Sequence, residues 1–258
     1  MVENSNSHEE VTVNPNETIT KQRAPENVEE SLPSNPIADS TYQTAERAYY
    51  HRGNCFIKRS LRPTEYITTI LGTKHIPRLS KERLQNEAAA LSYVRRVSNI
   101  PVPTLYGAFE IDDSFMVITE YIDGVAMARL SEDEKRVVDI EIEQHLATLC
   151  GIKSDTIGGP SGIVVPPYRV MLQSENDEWS KKVCKDQEFV FCHNDLSQHN
   201  IIVDPETLKI RAILDWEYAG FFPANFEGPF YKRPGPSVAM NDEKDDSAEL
   251  LEFMRAGA

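Results

Sequence analysis

The chain has 258 residues, of which 40% are hydrophobic, and its formal net charge is −14 at pH 7. This composition is typical of a globular protein, and the length allows one large domain or two lobes with a substantial core. The acidic balance argues against a nucleic-acid partner. No apolar stretch approaches the roughly 20 residues that a membrane-spanning helix needs, so we expect no membrane partner either.

The first 40 residues differ in composition from the rest of the chain. They are rich in Asn, Glu, Ser, Pro and Thr, and residues 1–39 hold eight acidic side chains against Lys21 and Arg23. A polar segment without a hydrophobic period cannot bury enough apolar surface to offset the entropy lost on ordering. We therefore expect residues 1–40 to be a disordered acidic tail.

The four cysteines are isolated from one another in the sequence. Cys55 and Cys192 lie in apolar runs, Cys150 and Cys184 lie elsewhere, and no C-x-x-C pair occurs. Scattered thiols of this kind are typical of a reducing compartment. The pattern predicts free thiols and a cytoplasmic protein.

Ordered structure is expected to begin near Ala45. The stretch "AERAYYHRGNCFIKRS" predicts two short strands around Arg52-Gly53-Asn54, and the second strand carries Lys58. A lysine at the end of a strand is ordinarily just solvated. The elements that follow decide whether Lys58 has a partner.

The helix predicted after these strands carries a carboxylate near its apolar face. Ser80 is its expected N-cap, and the apolar face consists of four residues at helical spacing: Leu84, Ala88, Leu91 and Val94. Glu87 falls on or beside this face, where a carboxylate needs a partner. Arg83, one turn away, is the ordinary partner for such a group, and Lys58 is the alternative.

The elements after this helix complete a two-part pattern. Two strands are predicted on either side of the turn Asp112-Asp113-Ser114, and the second ends at Glu120-Tyr121-Ile122. A capping box at 131–134 predicts the start of a long helix, and a weak helix is expected around 178–183. The order of strands, helix, strands and then helices predicts an α+β chain in two lobes.

The stretch "FCHNDLSQHNIIVDPETLKIRAILDWEYAGFF" gathers polar residues at strand ends. A buried strand over 189–192 leads to a hairpin whose strands cover 200–204 and 209–216. Antiparallel pairing about the centre of its turn places Asn200 opposite roughly Ile213. Asn200 and Asp215 are therefore expected at the same end of the hairpin, with Asp195 on the loop leading into it.

These side chains suit phosphoryl transfer. Carboxylate and amide oxygens favour Mg²⁺, which proteins hold through one or two carboxylates together with substrate phosphates. A separate aspartate can accept the proton of an attacking hydroxyl, and a lysine held by a glutamate on a helix can bind nucleotide phosphates. The sequence offers Asp195 as the proton acceptor. It offers Lys58, held by Glu87, for the nucleotide phosphates.

Several segments resemble the aminoglycoside phosphotransferase and choline kinase-like superfamily. "CHNDLSQHNIIVD" and "ILDWEYAGF" resemble its His-x-Asp-x-x-x-x-Asn loop and its Asp-Trp-Glu segment. "NEAAALSYVRRVSNIPVPTLYGAF" resembles its glutamate helix and the strand after it, and "FMVITEYIDG" resembles its hinge. The likeness covers about 45–226 and is nearest to phosphotransferase-like proteins of fungi.

The resemblance implies a protein-kinase-like two-lobed fold with a small strand-rich N-lobe and a mainly helical C-lobe. The N-lobe would cover 41–122 and bind nucleotide, and the C-lobe would cover 123–240 and carry the catalytic groups. An acidic C-terminal segment would cover 241–258. The implied activity is an ATP- and Mg²⁺-dependent transfer of the γ-phosphate to a hydroxyl of a small molecule.

The resemblance also implies a role for individual residues. Asp195 would be the catalytic base, and Asn200 and Asp215 the Mg²⁺ ligands. Lys58 would hold the α- and β-phosphates, with Glu87 orienting it. The remaining implied positions support the site or meet the adenine: His193, Glu120, Tyr121, Ile122 and Glu217. His193 would brace the loop, and Glu217 would either add to the metal shell or cap the next turn.

Two departures leave alternatives open. Between Asp39 and Lys58 the only glycine is Gly53, so no glycine-rich phosphate loop is expected, and only about forty residues follow Asp215. The acceptor pocket is therefore expected to be reduced or missing. A pseudokinase-like nucleotide-binding or interaction module without turnover is the alternative reading. A metal-dependent hydrolase is disfavoured because no histidine cluster is present.

Overall fold

The computed structural model describes residues 40–186 and 188–256. The strands within these ranges are β1 (Ser40–Gln43), β2 (Arg47–Arg52), β3 (Cys55–Ser60), β4 (Leu105–Ile111), β5 (Ser114–Glu120), β6 (Val125–Ala126), β7 (Lys153–Ser154), β8 (Phe189–Cys192), β9 (Ile201–Val203), β10 (Ile210–Ile213) and β11 (Gly220–Phe222). The helices are α1 (Ser80–Val97), α2 (Glu132–Gly151), α3 (Tyr168–Met171) and α4 (Ser247–Arg255). No helix in these ranges combines the length and apolarity that crossing a bilayer requires.

The first half of the described chain is built on one antiparallel sheet. Its strands lie in the order β1-β2-β3-β5-β4. The β2–β3 and β4–β5 hairpins turn at positive φ, at Gly53 and at Asp112 and Asp113, as two-residue hairpin turns require. These two predicted hairpins are confirmed. The expected tail over 1–40 lies outside the described residues, except for Ser40, which begins β1.

Helix α1 lies between this sheet and the second half of the chain. Leu84 and Ala88 pack with Val117 of β5, whereas Leu91 and Val94 belong to the larger core formed with the second half. The predicted apolar face is therefore confirmed, and it serves two cores. The expected N-cap was wrong: Ser80 is the first helical residue, and Leu79 caps the helix with a φ of +47°.

The long helix of the second half begins where the capping box predicts. In α2 the Ser131 hydroxyl accepts a hydrogen bond from the Glu134 amide, and the Glu134 carboxylate accepts one from the Ser131 amide at 2.8 Å. This reciprocal arrangement satisfies two amides that a helix start would otherwise leave free. The buried face of α2 then packs in the same core as Phe191 and Trp216.

Two small sheets hold the polar hairpin in place. One contains β10, β9 and β6, and the other contains β11, β8 and β7. Ile213 pairs with Ile201, whereas Ile210 pairs with Val203, so Arg211 is an extra residue on its strand. This bulge shifts the register by one residue from the predicted pairing of Ile213 with Asn200. The Leu214 amide donates to the Asn200 carbonyl at 2.8 Å, so Asn200 and Asp215 still emerge together.

One expectation for the C-terminal part was wrong. Residues 178–183 are not helical; Val183 instead forms an isolated bridge with Thr156. The acidic segment contains α4, whose Leu250, Leu251 and Met254 are buried in a second core. Their spacing is helical, so α4 is an amphipathic helix that packs on the C-terminal half.

Packing of α2 can be tested on two isoleucines of that helix. Ile142 is fully buried, whereas Ile140 is 63% exposed. Ile142→Ala should lower the free energy of unfolding by about 2–5 kcal/mol, because it removes buried methyl groups and leaves a cavity. Ile140→Ala is the matched control and should change it by less than about 0.5 kcal/mol. Urea unfolding curves measure both, and equal effects would contradict the assigned face of α2.

Candidate active site

Lys58 and Glu87 form a buried ion pair. Lys58 lies on β3 and Glu87 on α1, and their Nζ and Oε1 atoms are 2.6 Å apart. The Glu87 side chain is 3% exposed and that of Lys58 is 13% exposed. Burial raises the pKa of Glu87 in spite of the nearby Lys58. The ordinary partner considered for Glu87, Arg83, instead donates hydrogen bonds to the Tyr218 hydroxyl at 2.7 Å and to Glu46 at 2.6 Å.

Asp215 meets Lys58 from the other side. The Lys58 ammonium group also contacts Asp215 Oδ1. Burial acts against the charge on Lys58, but the two carboxylates outweigh burial and the pKa of Lys58 is raised. For Asp215, burial is likewise outweighed by Lys58, and its pKa is lowered. Because 40% of the Asp215 side chain is exposed, its second oxygen is accessible to a ligand.

Asn200 links Asp195 to the hairpin. Its amide nitrogen donates to the Asp195 carbonyl at 2.7 Å and to Asp195 Oδ2 at 3.3 Å. These bonds engage the nitrogen of the amide and leave its oxygen for another partner. The structure therefore brings Asp195, Asn200 and Asp215 together at one end of the hairpin, as the sequence analysis expects.

The Asp195 carboxyl group is crowded by protein and by other acids. Burial raises its pKa to about 7, and the charges of Asp215 and Glu217 add to this shift. Nearby polar groups of Ser237 and Asn200 oppose the shift. A carboxyl group with a pKa near neutrality is typical of general acid–base sites.

His193 connects the loop that contains Asp195, here named the Asp195 loop, to the segment that contains Asp215. Its ring Nε2 donates to the Leu214 carbonyl at 2.8 Å, and its Nδ1 accepts from the Asp195 amide at 3.2 Å. One donating and one accepting nitrogen define a neutral ring. Burial lowers the pKa of His193 to about 4, which agrees with neutrality. Through these two contacts His193 holds the Asp195 loop against the segment that contains Asp215.

Glu227 braces the same loop and was missed in the sequence analysis. Its Oε2 accepts hydrogen bonds from the backbone amides of His193 and, at 3.2 Å, Asn194. Burial raises the pKa of Glu227 to about 7, although the two amides oppose the shift. No local motif marks this glutamate, since its partners lie more than thirty positions away.

Glu217 pairs with two arginines. It contacts Arg47 at the start of β2, and its Oε1 lies 3.6 Å from Arg83 Nη1. In the structure the Glu217 carboxylate is thus engaged by guanidinium groups, and its two expected roles stay predictions. Arg47 was also missed; its Nη1 is buried and makes no hydrogen bond among the described residues.

The segment expected to meet adenine lies at the end of β5. The Glu120 side chain accepts from the Thr104 hydroxyl at 2.7 Å. The amides of Glu120 and Tyr121 donate to the carbonyls of Thr104 and Asn54 at 2.8 and 2.7 Å. Within the described ranges the amide of Ile122 makes no hydrogen bond. Of the three residues in this segment, Ile122 is therefore the one whose amide can donate a hydrogen bond to a ligand.

The turn between β1 and β2 is short and lacks glycine. It consists of Thr44, Ala45 and Glu46, and the Thr44 amide donates to the Arg47 carbonyl at 2.8 Å. This connection therefore contains no glycine-rich loop. A turn of three residues cannot enclose a phosphate chain with its own amides, so side chains must supply any phosphate contacts here.

Residues 166–227, which contain Asp195, Asn200 and Asp215, match the family described as Phosphotransferase enzyme family (APH). A stretch of 56 residues is 39% identical to probable choline kinase 3 of Arabidopsis thaliana. The resemblance to the aminoglycoside phosphotransferase and choline kinase-like superfamily is confirmed. The stretch covers 22% of this chain and 16% of the Arabidopsis protein.

The chain is also similar to solved structures at low sequence identity. The GDP and kanamycin complex of APH(2")-IIia has a TM-score of 0.50 and 11% identity, over 73% of this chain and 70% of that chain. The apo form of a thermostable APH(4)-Ia mutant has a TM-score of 0.46 and 14% identity, over 72% and 69%. The first of these likenesses confirms the protein-kinase-like α+β fold expected from the sequence.

The Lys58–Glu87 pair can be tested by a double-mutant cycle. Lys58→Met should lower the free energy of unfolding by about 3–5 kcal/mol, because it leaves Glu87 buried without its counter-charge. Adding Glu87→Leu should restore much of this loss, since the pair is then replaced by apolar groups. Lys81, whose pair with Glu110 is exposed, is the control, and Lys81→Met should have little effect. Additive losses at positions 58 and 87 would contradict the pairing.

Glu227 should make stability depend on pH. Its pKa is about 7 in the folded protein against 4.5 unperturbed, so the folded state binds this proton more tightly. The resulting stabilisation is fully present below about pH 4.5 and is lost, by at most about 1.4 kcal/mol per pH unit, as the pH rises towards 7. The difference in unfolding free energy between wild type and Glu227→Gln should therefore fall over that interval. A constant difference in denaturant titrations would contradict the shifted pKa.

Proposed function

We propose that this protein is an ATP- and Mg²⁺-dependent phosphotransferase that moves the γ-phosphate to a hydroxyl of a small molecule. The observation that carries the proposal is the convergence of the Lys58–Glu87 pair, Asp215 and the Asp195–Asn200 pair at one end of one hairpin. These groups are the phosphate ligand, metal ligands and proton acceptor that phosphoryl transfer requires. The superfamily match over 166–227 supports the same reaction class.

The nucleotide would lie between the end of β5 and Lys58. The free Ile122 amide and the Glu120 carbonyl would meet the base. Lys58 would exchange part of its contact with Asp215 for α- and β-phosphate oxygens, while Glu87 holds its position. The relative APH(2")-IIia is described with GDP, so GTP belongs beside ATP in every binding assay.

The donor set fits Mg²⁺. The Asn200 amide oxygen and the second Asp215 oxygen are hard oxygen donors that no described residue engages. Mg²⁺ prefers a few protein oxygens combined with phosphate oxygens. When bound, the ion would neutralise charge on the phosphates. Because Lys58 holds the other Asp215 oxygen, the ion and Lys58 would share this carboxylate.

Asp195 would accept the proton of the acceptor. As the acceptor oxygen bonds to the γ-phosphorus, the bond from that phosphorus to the β–γ bridging oxygen breaks and the hydroxyl proton passes to Asp195. His193 and Glu227 hold the Asp195 loop through its backbone. The acceptor would be a small molecule with a hydroxyl group. The fold does not determine which one, because acceptor specificity depends on the site.

A second function rests on a specific observation. The β1–β2 turn has no glycine, and Lys58 is already paired with two carboxylates. A pseudokinase-like module that binds nucleotide or a partner without turnover would be compatible with both features. Nucleotide-induced thermal stabilisation without any consumption of ATP or GTP would favour the module.

We place the reaction in the cytoplasm. The proposal rests on the four cysteines, which are all free thiols in the structure. Free thiols are typical of reducing compartments.

Asp195→Asn should separate catalysis from binding. Loss of the proton acceptor should lower turnover by about 10²–10⁴-fold, whereas the rise in melting temperature on adding Mg²⁺–ATP should stay near that of wild type. Asp204→Asn, on the same hairpin, is the matched control, because Asp204 binds Arg211 and lies outside the site. Coupled ADP-release assays with amino sugars, choline and simple alcohols measure turnover. Wild-type turnover in Asp195→Asn would refute the assigned base.

Asn200→Ala and Asp215→Ala should each weaken Mg²⁺-dependent binding of ATP. The expected loss is at least about tenfold, the lower end known for outer-shell partners of metal sites. The two effects should be less than additive, because both residues would serve one ion. Titration of Mg²⁺ at fixed ATP, followed by calorimetry, measures this. Additive losses that do not depend on Mg²⁺ would indicate a structural hairpin.

A further inference from the structure

Arg47 is a buried cation at the point where the chain leaves the β1–β2 turn. It is the first residue of β2, and its side chain is 3% exposed. One nitrogen of its guanidinium group, Nη2, contacts Glu217. The other, Nη1, is buried and makes no hydrogen bond with the residues that the structure describes. A buried charged donor without a partner is unfavourable, so this nitrogen calls for a specific reason.

Arg47 and Lys58 project from the same face of the five-stranded sheet. In the antiparallel pairing of β2 with β3, Tyr49 lies opposite Lys58, and Tyr49 is two positions from Arg47. Residues directly opposite one another share a face, and so do residues two positions apart on one strand. The contacts of the two cations agree with this geometry. Lys58 meets Asp215, and Arg47 meets Glu217 two positions later in the same segment.

The register of the sheet places the two cations in order from the segment proposed to meet the base. Cys55, the first residue of β3, pairs with Glu120 at the end of β5. Lys58 lies three residues further along β3, and Arg47 lies opposite Ser60, two residues further again. At about 3.3 Å per residue, Lys58 is roughly 10 Å and Arg47 roughly 17 Å along the strands from Glu120. With the α- and β-phosphates at Lys58, the γ-phosphate would lie towards Arg47.

The β1–β2 turn leaves this phosphate to a side chain. The Thr44 amide donates to the Arg47 carbonyl at 2.8 Å. The amides of Glu46 and Arg47 donate to the Thr44 hydroxyl oxygen at 3.2 and 3.1 Å. These three amides are therefore engaged within the turn. A guanidinium group can take their place, because its planar fork of N–H donors matches two phosphate oxygens.

We propose that Arg47 binds the γ-phosphate of the nucleotide and thereby selects triphosphates over diphosphates. This inference rests on the proposed function. Arg47 Nη1 would donate to an oxygen of the γ-phosphate, while Nη2 keeps its contact with Glu217. Glu217 would then hold Arg47 in position. Arg83, whose Nη1 lies 3.6 Å from the other Glu217 oxygen, would balance part of the charge of that carboxylate.

Binding of triphosphates and of diphosphates tests this contact. The full chain and its Arg47→Met variant are titrated in the presence of Mg²⁺, by calorimetry, with AMP-PNP and GMP-PNP and with ADP and GDP. The first two are triphosphate analogues that resist transfer of their γ-phosphate. Arg47→Met should bind them about 10–100-fold more weakly, the range for loss of a hydrogen bond to a charged group, and should bind the diphosphates within about twofold of wild type.

Two further variants separate the contact from folding. Arg52→Met is the matched control, because Arg52 lies on the same strand but on the opposite face and donates to the Ser40 carbonyl at 2.9 Å. It should bind every nucleotide like wild type. Arg47→Lys keeps a positive charge for Glu217 but lacks the planar fork, so its preference for triphosphates should lie between those of wild type and Arg47→Met. If Arg47→Met fails to fold, Arg47→Lys decides the question, and a preference equal to that of wild type overturns the inference.

Failure of this inference can be told from failure of the proposed function. Equal losses for triphosphates and diphosphates in Arg47→Met, or no loss for either, would overturn the inference, and turnover of ATP or GTP by wild type would still uphold the proposed function. A lost preference for triphosphates in Arg47→Met, together with no turnover by wild type with any acceptor, would support the contact and refute the proposed function. Absence of nucleotide binding by wild type would refute both.

Discussion

The arrangement of the site depends on the charge of Lys58. One ammonium group contacts Glu87 of α1 and Asp215 of the hairpin, so a single side chain connects the five-stranded sheet to both. Glu87 is almost fully buried, and a carboxylate in that position is tolerated only beside a counter-charge. The same charge lowers the pKa of Asp215, which keeps this carboxylate ionised. The positions of both acids and the ionisation of Asp215 therefore follow from one cation.

A second group of charged side chains close to the site also joins distant parts of the chain through ion pairs. Glu217 lies between Arg47 and Arg83, and Arg83 also binds Glu46. In these contacts two guanidinium groups engage the Glu217 carboxylate. They also fix the segment after Asp215 against α1 and β2. The site is thus framed by two neighbouring ion-pair clusters, both of which join parts of the chain that are distant in sequence.

The sequence predicts those features of the site that local spacing determines. The paired strands, the apolar face of α1 and the common position of Asn200 and Asp215 follow from periodicity and antiparallel geometry. The bulge at Arg211 does not, because nothing in the sequence marks an unpaired residue there. Glu227 was missed for a different reason. Its partners lie more than thirty positions away, and such contacts are set by how the elements pack.

Under the proposed function, the short β1–β2 turn limits how a nucleotide can be held. A glycine-rich loop would offer several backbone amides to the phosphates, but the turn Thr44–Glu46 is closed on itself by its own hydrogen bonds. Charged side chains must then take over this role. Lys58 is in place, and Arg47 has one buried nitrogen without a partner. Contacts made by charged side chains are screened by salt where they are accessible to water. Under the proposed function, phosphate binding would therefore depend on ion pairing more than on backbone geometry.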